Sequence, residues 1–284
     1  MSSFLMFSLS AAVLCCAFWR AYFLPVMSML VGVYAIQRWR APMLLGLGAE
    51  AAEQAAAEPA LRAFAVTFGN SVQIGIPLAA ALWGEAGLGI HITLVSLHAL
   101  ALLSVVTALI ELDIARAQAA HQAGGSLWRT LRSTARATII HPVMLPVLAG
   151  LAWNLSGLGL PGPIDETLQL LGTAVAPLCL VLIGLSLAYY GMGGAWAGAV
   201  KISLLKLLAL PALVLVVAHW GLGLSGLPLQ VVVVMAALPT GANPLIVAQR
   251  YRARESEVTA AIVISTLGFA FTAPLWLALL ARIG

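Results

Sequence analysis

The sequence predicts an all-α polytopic membrane protein. Of its 284 residues, 62% are hydrophobic and only 8% are charged, whereas a soluble domain carries about 25% charged residues. The mean hydropathy is +1.03, and the apolar residues lie in runs of about 20, the length that crosses a bilayer as a helix. The composition therefore excludes a water-soluble globule, and each span must be helical wherever it contacts lipid.

Nine apolar runs are candidate spans, and the second of them is the shortest. The first lacks the basic segment and the small-residue cleavage site of a signal peptide, so we interpret it as a span. The runs cover residues 4–20, 23–38, 62–83, 88–111, 137–155, 169–189, 198–220, 228–248 and 258–281.

The basic residues predict which loops face the cytoplasm. Of the 14 lysines and arginines, all but Arg20, Arg282 and Lys206 lie on alternate loops. The positive-inside rule places those loops in the cytoplasm, the C-terminus outside and the N-terminus of this chain inside. The chain then divides into four spans within residues 1–111, a basic cytoplasmic loop at 112–136 and five spans within 137–284.

Several classes of chemistry are absent from the sequence. Its three cysteines form no disulfide framework, and no Cys/His spacing resembles a metal site. The zinc-protease and phosphate-loop motifs are both missing, and no serine or cysteine has an evident activating base. The net charge of +4 is spread along the chain. We therefore expect no catalytic residue, cofactor, metal or nucleic-acid partner.

Spans three and eight indicate an internal repeat. Superposing Pro77 on Pro244 also superposes the apolar residues that follow each proline. Because span three starts inside and span eight starts outside, the two halves would be inverted relative to each other. The first half is shorter by about 30 residues, one span with its connection. We expect an ancestor of ten spans whose first helix is missing here, through loss or a misplaced start codon. The alternative, a coincidental repeat and nine complete spans, stays open.

Short motifs over about residues 60–284 carry a family resemblance through their order and spacing. They are residues 70–77 with 82–85, residues 141–150 with 176–178 and 184–187, and residues 238–244 with 248–251 and 265–266. Together they resemble the auxin efflux carrier family, and within it the bacterial malonate-transporter type. The resemblance implies ten spans, of which this chain has nine, in two inverted five-helix repeats with two crossing broken helices. It also implies transport of small organic anions such as malonate or malate, and the composition is compatible with a bacterial inner membrane.

Polar residues beside the predicted breaks are the candidate binding residues. Two half-helix N-termini at the bilayer midplane carry partial positive charge that can hold a carboxylate. The alternative is that the polar side chains join helices or cap exposed backbone. The candidates are Asn70, Ser71, Gln73, Thr240 and Asn243, and the helix-breaking prolines are Pro77, Pro239 and Pro244.

Two titratable residues within the spans are further candidates. Lys206 lies inside the seventh span, where a cation is costly and indicates function, although its long side chain could instead reach the interface. His98 in span four could handle substrate or a proton. Because no carboxylate lies in mid-membrane, coupling to H⁺ or Na⁺ would use hydroxyl, amide and backbone oxygens or His98. Coupling and homodimer formation stay open.

A secondary carrier of small carboxylate anions is the function that these observations favour. One alternative is an N-terminally truncated membrane sensor or scaffold that transports nothing. An intramembrane enzyme is a second alternative, and the missing catalytic motifs make it the weaker of the two.

Overall fold

The structure is a computed structural model that describes residues 2–40, 49–121, 159–190 and 195–283, with a few positions between 149 and 156. Every regular element in this described part is helical, which confirms the predicted all-α class. The α-helices are α1 (Ser2–Arg40), α2 (Ala49–Thr67), α3 (Ile76–His121), α4 (Gly162–Tyr190), α5 (Trp196–Leu204), α6 (Leu210–Leu215), α7 (Gly226–Ala237), α8 (Asn243–Tyr251) and α9 (Glu255–Ile283).

Three helical stretches of the described part are long and apolar enough to cross a membrane, namely Ser71–Gln118, Trp196–Gly221 and Glu255–Ile283. They include the predicted spans 88–111, 198–220 and 258–281. Span 169–189 lies within α4. Most of span 137–155 and of the loop 112–136 lies outside the described residues.

The first helix differs from the prediction. Residues 4–20 and 23–38 were expected as two spans, but α1 runs without interruption from Ser2 to Arg40. A helix of 39 residues is about 58 Å long, roughly twice the thickness of the hydrocarbon core. The two residues between the predicted spans, Ala21 and Tyr22, contain no helix breaker, so the helix continues through them. The count of nine spans is therefore not confirmed.

Spans three and eight are interrupted helices. After α2, residues 68–70 are non-helical, and a π-helical turn (Ser71–Gly75) then leads into α3. After α7, residues 238–242 leave the helix before α8 begins at Asn243. The two non-helical segments meet in an isolated antiparallel bridge between Gly69 and Thr240. We call residues 68–70 and 238–242 together the helix crossing.

The matched prolines do not mark equivalent places in this crossing. Superposing Pro77 on Pro244 would place Gly69 opposite Ala236, but the bridge pairs Gly69 with Thr240. The proline register is thus wrong by four residues, about one helical turn. Proline is tolerated throughout the first turn of a helix, so its position does not fix where a helix breaks. The predicted division into two repeats stays a prediction.

The helix α7 brings the crossing into the middle of the protein. Eight of its 12 residues are buried, and it contacts α1, α3, α6 and α9. A helix that is apolar on all sides is typical of a core position. The helix crossing, which follows α7 directly, therefore lies away from the ends of the bundle.

The ion pairs of the described residues lie away from the helix crossing, near the loops that the positive-inside rule predicts to be cytoplasmic. The more buried of these pairs form a group that we call the ionic cluster, which consists of Arg38, Glu58, Arg62, Asp113, Arg116, Arg254 and Glu257. Its closest contacts join Arg62 to Glu257 (3.0 Å), Arg254 to Glu58 (2.8 Å), and both Arg38 (3.3 Å) and Arg116 (3.2 Å) to Asp113.

Candidate anion-binding site

Two reciprocal hydrogen bonds hold the helix crossing together. The amide of Asn70 donates to the carbonyl of Pro239 (2.7 Å), and the amide of Gly241 donates to the carbonyl of Phe68 (3.0 Å). Backbone that leaves a helix in a membrane needs partners within the protein, and each interrupted segment supplies them to the other. A Cβ on Gly241 would lie 3.0 Å from the carbonyl oxygen of Gly69, so the close approach requires glycine at this position.

Side chains satisfy one carbonyl in the last turn of each helix that enters the crossing. The hydroxyl of Thr240 donates to the carbonyl of Ala65 in α2 (3.0 Å), and the ammonium of Lys206 donates to the carbonyl of Ala236 in α7 (2.8 Å). The carbonyls of the last helical turn have no partner within the helix. Thr240 and Lys206 therefore act as caps of the two helices.

Lys206 lies in the protein interior and not at the interface. It belongs to a π-helical turn (Leu205–Ala209) and is completely buried. This burial argues against the alternative in which the side chain extends to the interface. Its neighbour Leu207 is fixed by an indole N–H of Trp276, which donates to the Leu207 carbonyl at 2.8 Å. Among the described residues, no carboxylate forms an ion pair with Lys206.

The two helices that leave the crossing begin without a side-chain cap. Neither Asn70, before the π-helical turn, nor Ala242, before α8, makes a capping hydrogen bond. Some first-turn amides are bonded locally, since the amide of Ser71 donates to the carbonyl of Gly69 (2.8 Å) and that of Leu245 donates to the carbonyl of Ala242 (3.0 Å). Each helix start carries the positive end of the helix dipole. The half-buried side chains of Asn70, Gln73 and Asn243 lie in or beside these first turns. The amide oxygen of Asn70 is buried and has no hydrogen-bond partner in the described part.

Ser71 and Thr240 are buried more deeply than these amides. Ser71 is 4% exposed and Thr240 is fully buried, and the backbone amide of Thr240 donates to the hydroxyl of Ser265 (3.1 Å). Pro239 lies in the interruption itself and Pro244 lies in the first turn of α8. Pro77 is the second residue of α3, as Pro244 is of α8, but it follows the π-helical turn and so lies farther from the bridge.

His98 reaches the crossing from α3. Its ring lies 4.8 Å from the ring of Phe68, its Nδ1 is 3.1 Å from the hydroxyl of Tyr22, and the residue is fully buried. Its Nε2 is buried with no partner among the described residues. The structure thus brings His98 to the crossing beside the other candidate residues.

His91 is a site residue that the sequence analysis missed. It is 2% exposed, and its Nε2 lies 2.8 Å from the carbonyl oxygen of Ser71. A Cβ on Gly75 would lie 2.6 Å from the same Nε2, so glycine admits the ring. The available signal was spacing, because His91 lies seven residues before His98, two turns away on the same helix face.

Comparisons with known proteins point to one class. The model of a family described as "Membrane transport protein" matches residues 43–277. The chain is 33% identical over 135 residues to the "Uncharacterized transporter YfdV" of Escherichia coli K12, a match that covers 48% of this chain and 42% of that protein. It is 26% identical over 228 residues to the "Putative malonate transporter" of Rhizobium meliloti, covering 79% and 68% of the two chains. The chain thus spans less than half the length of the YfdV transporter it matches.

Proposed function

The chain belongs to the membrane transport protein family, and from this premise we propose that it is a secondary carrier of small organic carboxylate anions, such as malonate or malate, in a bacterial inner membrane. Membership confirms the resemblance to auxin efflux carriers and makes the chain an integral membrane protein of a transporter family. The identity of the substrate rests on the site described above and on the name of the Rhizobium relative.

The observation that carries the proposal is the pair of uncapped helix N-termini at the helix crossing. An anion at this place would accept hydrogen bonds from first-turn amides and from the side chains of Asn70 and Asn243, which lie one and three residues from the two bridge residues. Each helix terminus contributes about half a positive charge. Two such ends directed toward one carboxylate favour an anion over a neutral solute.

The distribution of acidic side chains supports the same choice. In the described part of the chain, the buried carboxylates are Asp113 and Glu257, and both belong to the ionic cluster. A cation site in a membrane protein is typically built from carboxylates or several backbone carbonyls. At the crossing the carbonyls of Ala65 and Ala236 are already occupied by Thr240 and Lys206.

Alternating access would then open the crossing to one side of the membrane at a time. If H⁺ or Na⁺ is coupled to the substrate, the described groups that could hold the ion are the oxygens of Asn70 and Gln73 and the free Nε2 of His98.

Uptake and counterflow of labelled malonate in proteoliposomes test the proposal. Asn70→Ala and Asn243→Ala should each weaken malonate binding about tenfold to a hundredfold, since a hydrogen bond to a charged group contributes about 1.5–3 kcal/mol. Gln169→Ala is the matched control, because the hydrogen bond described for this exposed side chain, to Asp165 (2.9 Å), lies within its own helix. We expect it to transport at the wild-type rate.

Two outcomes would contradict the proposal. Unchanged malonate binding in both asparagine variants would place the site elsewhere in the protein. A wild-type protein that is folded but neither binds nor moves any small carboxylate would favour the alternative of a non-transporting sensor or scaffold.

A further inference from the structure

The two caps at the helix crossing occupy equivalent places but differ in charge. Gly69 and Thr240 are paired in the bridge, and Ala65 and Ala236 each lie four residues before one member of that pair. Ala65 and Ala236 are therefore equivalent positions of the two segments. In one half the hydroxyl of Thr240 caps Ala65. In the other half the equivalent position is Gly69, which has no side chain, and the ammonium of Lys206 caps Ala236 instead.

Space explains the glycine at position 69. A Cβ there would lie 3.3 Å from the Nζ of Lys206 and 3.5 Å from the carbonyl oxygen of Met235. The described glycines with positive φ are Gly84, Gly223 and Gly226, so the backbone of Gly69 does not itself require glycine. The missing side chain leaves the room that the ammonium fills.

A lysine is a costly way to cap a carbonyl. The hydroxyl of Thr240 shows that a neutral donor is sufficient in this protein, and a buried cation loses far more hydration than a hydroxyl. Lys206 has three N–H donors, of which one has an acceptor among the described residues. No described carboxylate balances its charge. A buried, unbalanced cation beside two positive helix termini favours an anion as its partner.

We propose that Lys206 is the fixed counter-charge of the anion site, with its ammonium held over Gly69 by the Ala236 carbonyl and its remaining donors bound to one carboxylate group of the substrate. This proposal rests on the proposed function. It makes Lys206 a binding residue, and it makes the Gly69–Lys206 pair the feature that sets the charge of the site.

A pair of variants separates the cap from the charge. Lys206→Met removes both and should lower the unfolding temperature of the purified protein in detergent. Adding Gly69→Thr to Lys206→Met should recover most of the lost unfolding temperature. The new hydroxyl would occupy the position equivalent to that of Thr240 and could cap the carbonyl of Ala236. Both variants should bind malonate at least tenfold more weakly than the wild type, measured as the loss of malonate-induced thermal stabilisation.

Two further variants keep the test decisive. Lys206→Gln supplies a neutral donor without any change at Gly69, and it should lose malonate binding in the same way. Lys201→Met removes an exposed lysine from α5, and it should bind malonate as the wild type does.

Each outcome has one meaning. Wild-type malonate binding in folded Gly69→Thr/Lys206→Met or in Lys206→Gln would overturn the counter-charge and leave the proposed function intact. Absence of malonate stabilisation in the wild type would overturn both. A double variant that remains as unstable as Lys206→Met would overturn the equivalence of the two caps.

Discussion

The ionic cluster and the helix crossing differ in whether their charged side chains have partners of opposite charge. In the cluster, Arg62 donates through two nitrogens to both oxygens of Glu257, and Asp113 has two arginine partners. At the crossing, Lys206 has a carbonyl as its described partner and no carboxylate. Paired charges join neighbouring helices, whereas a single buried cation is an uncompensated charge that favours an anionic partner. The comparison separates charges that are paired within the described part of the protein from one that is bonded only to a carbonyl there.

The largest expected effect concerns the cluster. Glu257→Gln should lower the free energy of unfolding by about 3 kcal/mol, because it leaves the largely buried Arg62 without its counter-ion. The measurement is thermal unfolding in detergent. Glu50→Gln is the control, since Glu50 pairs with Arg252 at 3.6 Å with both side chains about three-quarters exposed, a pair that contributes about 0–1 kcal/mol. Equal losses in both variants would show that the cluster contributes no more than a surface pair.

A second prediction concerns the neutral cap. Thr240→Val should destabilise the protein by about 1–3 kcal/mol, because the buried carbonyl of Ala65 loses its donor. Thr240→Ser should recover most of the loss. The control is Thr93→Val, which removes an exposed hydroxyl that bonds the carbonyl of Gly89 in its own helix. If Thr240→Val unfolds at the wild-type temperature, the hydroxyl is not a cap.

A third prediction tests how α7 is held against α3. The indole N–H of Trp83 donates to the side-chain oxygen of Gln230 at 2.9 Å. Trp83→Phe should cost about 1 kcal/mol of stability, and the exposed Trp39 provides the control substitution Trp39→Phe. A loss no larger than that of the control would mean that this bond adds nothing to the packing of α7.

The last prediction involves the smallest expected change in stability, and it tests the topology of the chain. Single cysteines at Gln118 and at Gly284, in a protein whose native cysteines are replaced, should label from opposite sides of the membrane, with residue 118 in the cytoplasm. Neither change should alter stability measurably. Labelling of both positions from one side would contradict the predicted span count, and labelling of residue 118 from outside would reverse the assignment of the ionic cluster to the cytoplasmic side.

The sequence predicted the class of fold and the neighbourhood of the site because both follow from local patterns. Apolar runs indicate helices, clustered asparagine, glycine and proline indicate interrupted ones, and a cation within an apolar run indicates function. These patterns make Asn70, Thr240 and Lys206 candidates, and their roles in binding stay predictions. The pairing of Gly69 with Thr240 was not predictable in the same way. It depends on hydrogen bonds between segments far apart in the chain, whereas the prolines mark only the beginning of a helical turn.

Other features were missed for related reasons. His91 bonds the backbone carbonyl of Ser71, an acceptor that the sequence does not reveal. Its spacing from His98 would have indicated only that the two rings share a helix face. The continuous helix α1 was divided at Arg20 because a charged residue between apolar runs resembles a loop, although its exposed side chain can extend from a helix without breaking it.

The π-helical turn that holds Lys206 has a consequence for helical phase. A π turn amounts to one residue inserted into an α-helix, and one residue advances an α-helix by about 100°. The stretch Trp196–Gly221 contains two such turns, Leu205–Ala209 and Val216–Gly221. Each resets which face of the helix points inward. Deleting one residue within the first turn would therefore regularise the helix and leave the residues beyond it facing α7 as before, whereas the same deletion in a regular turn would rotate them by about 100°.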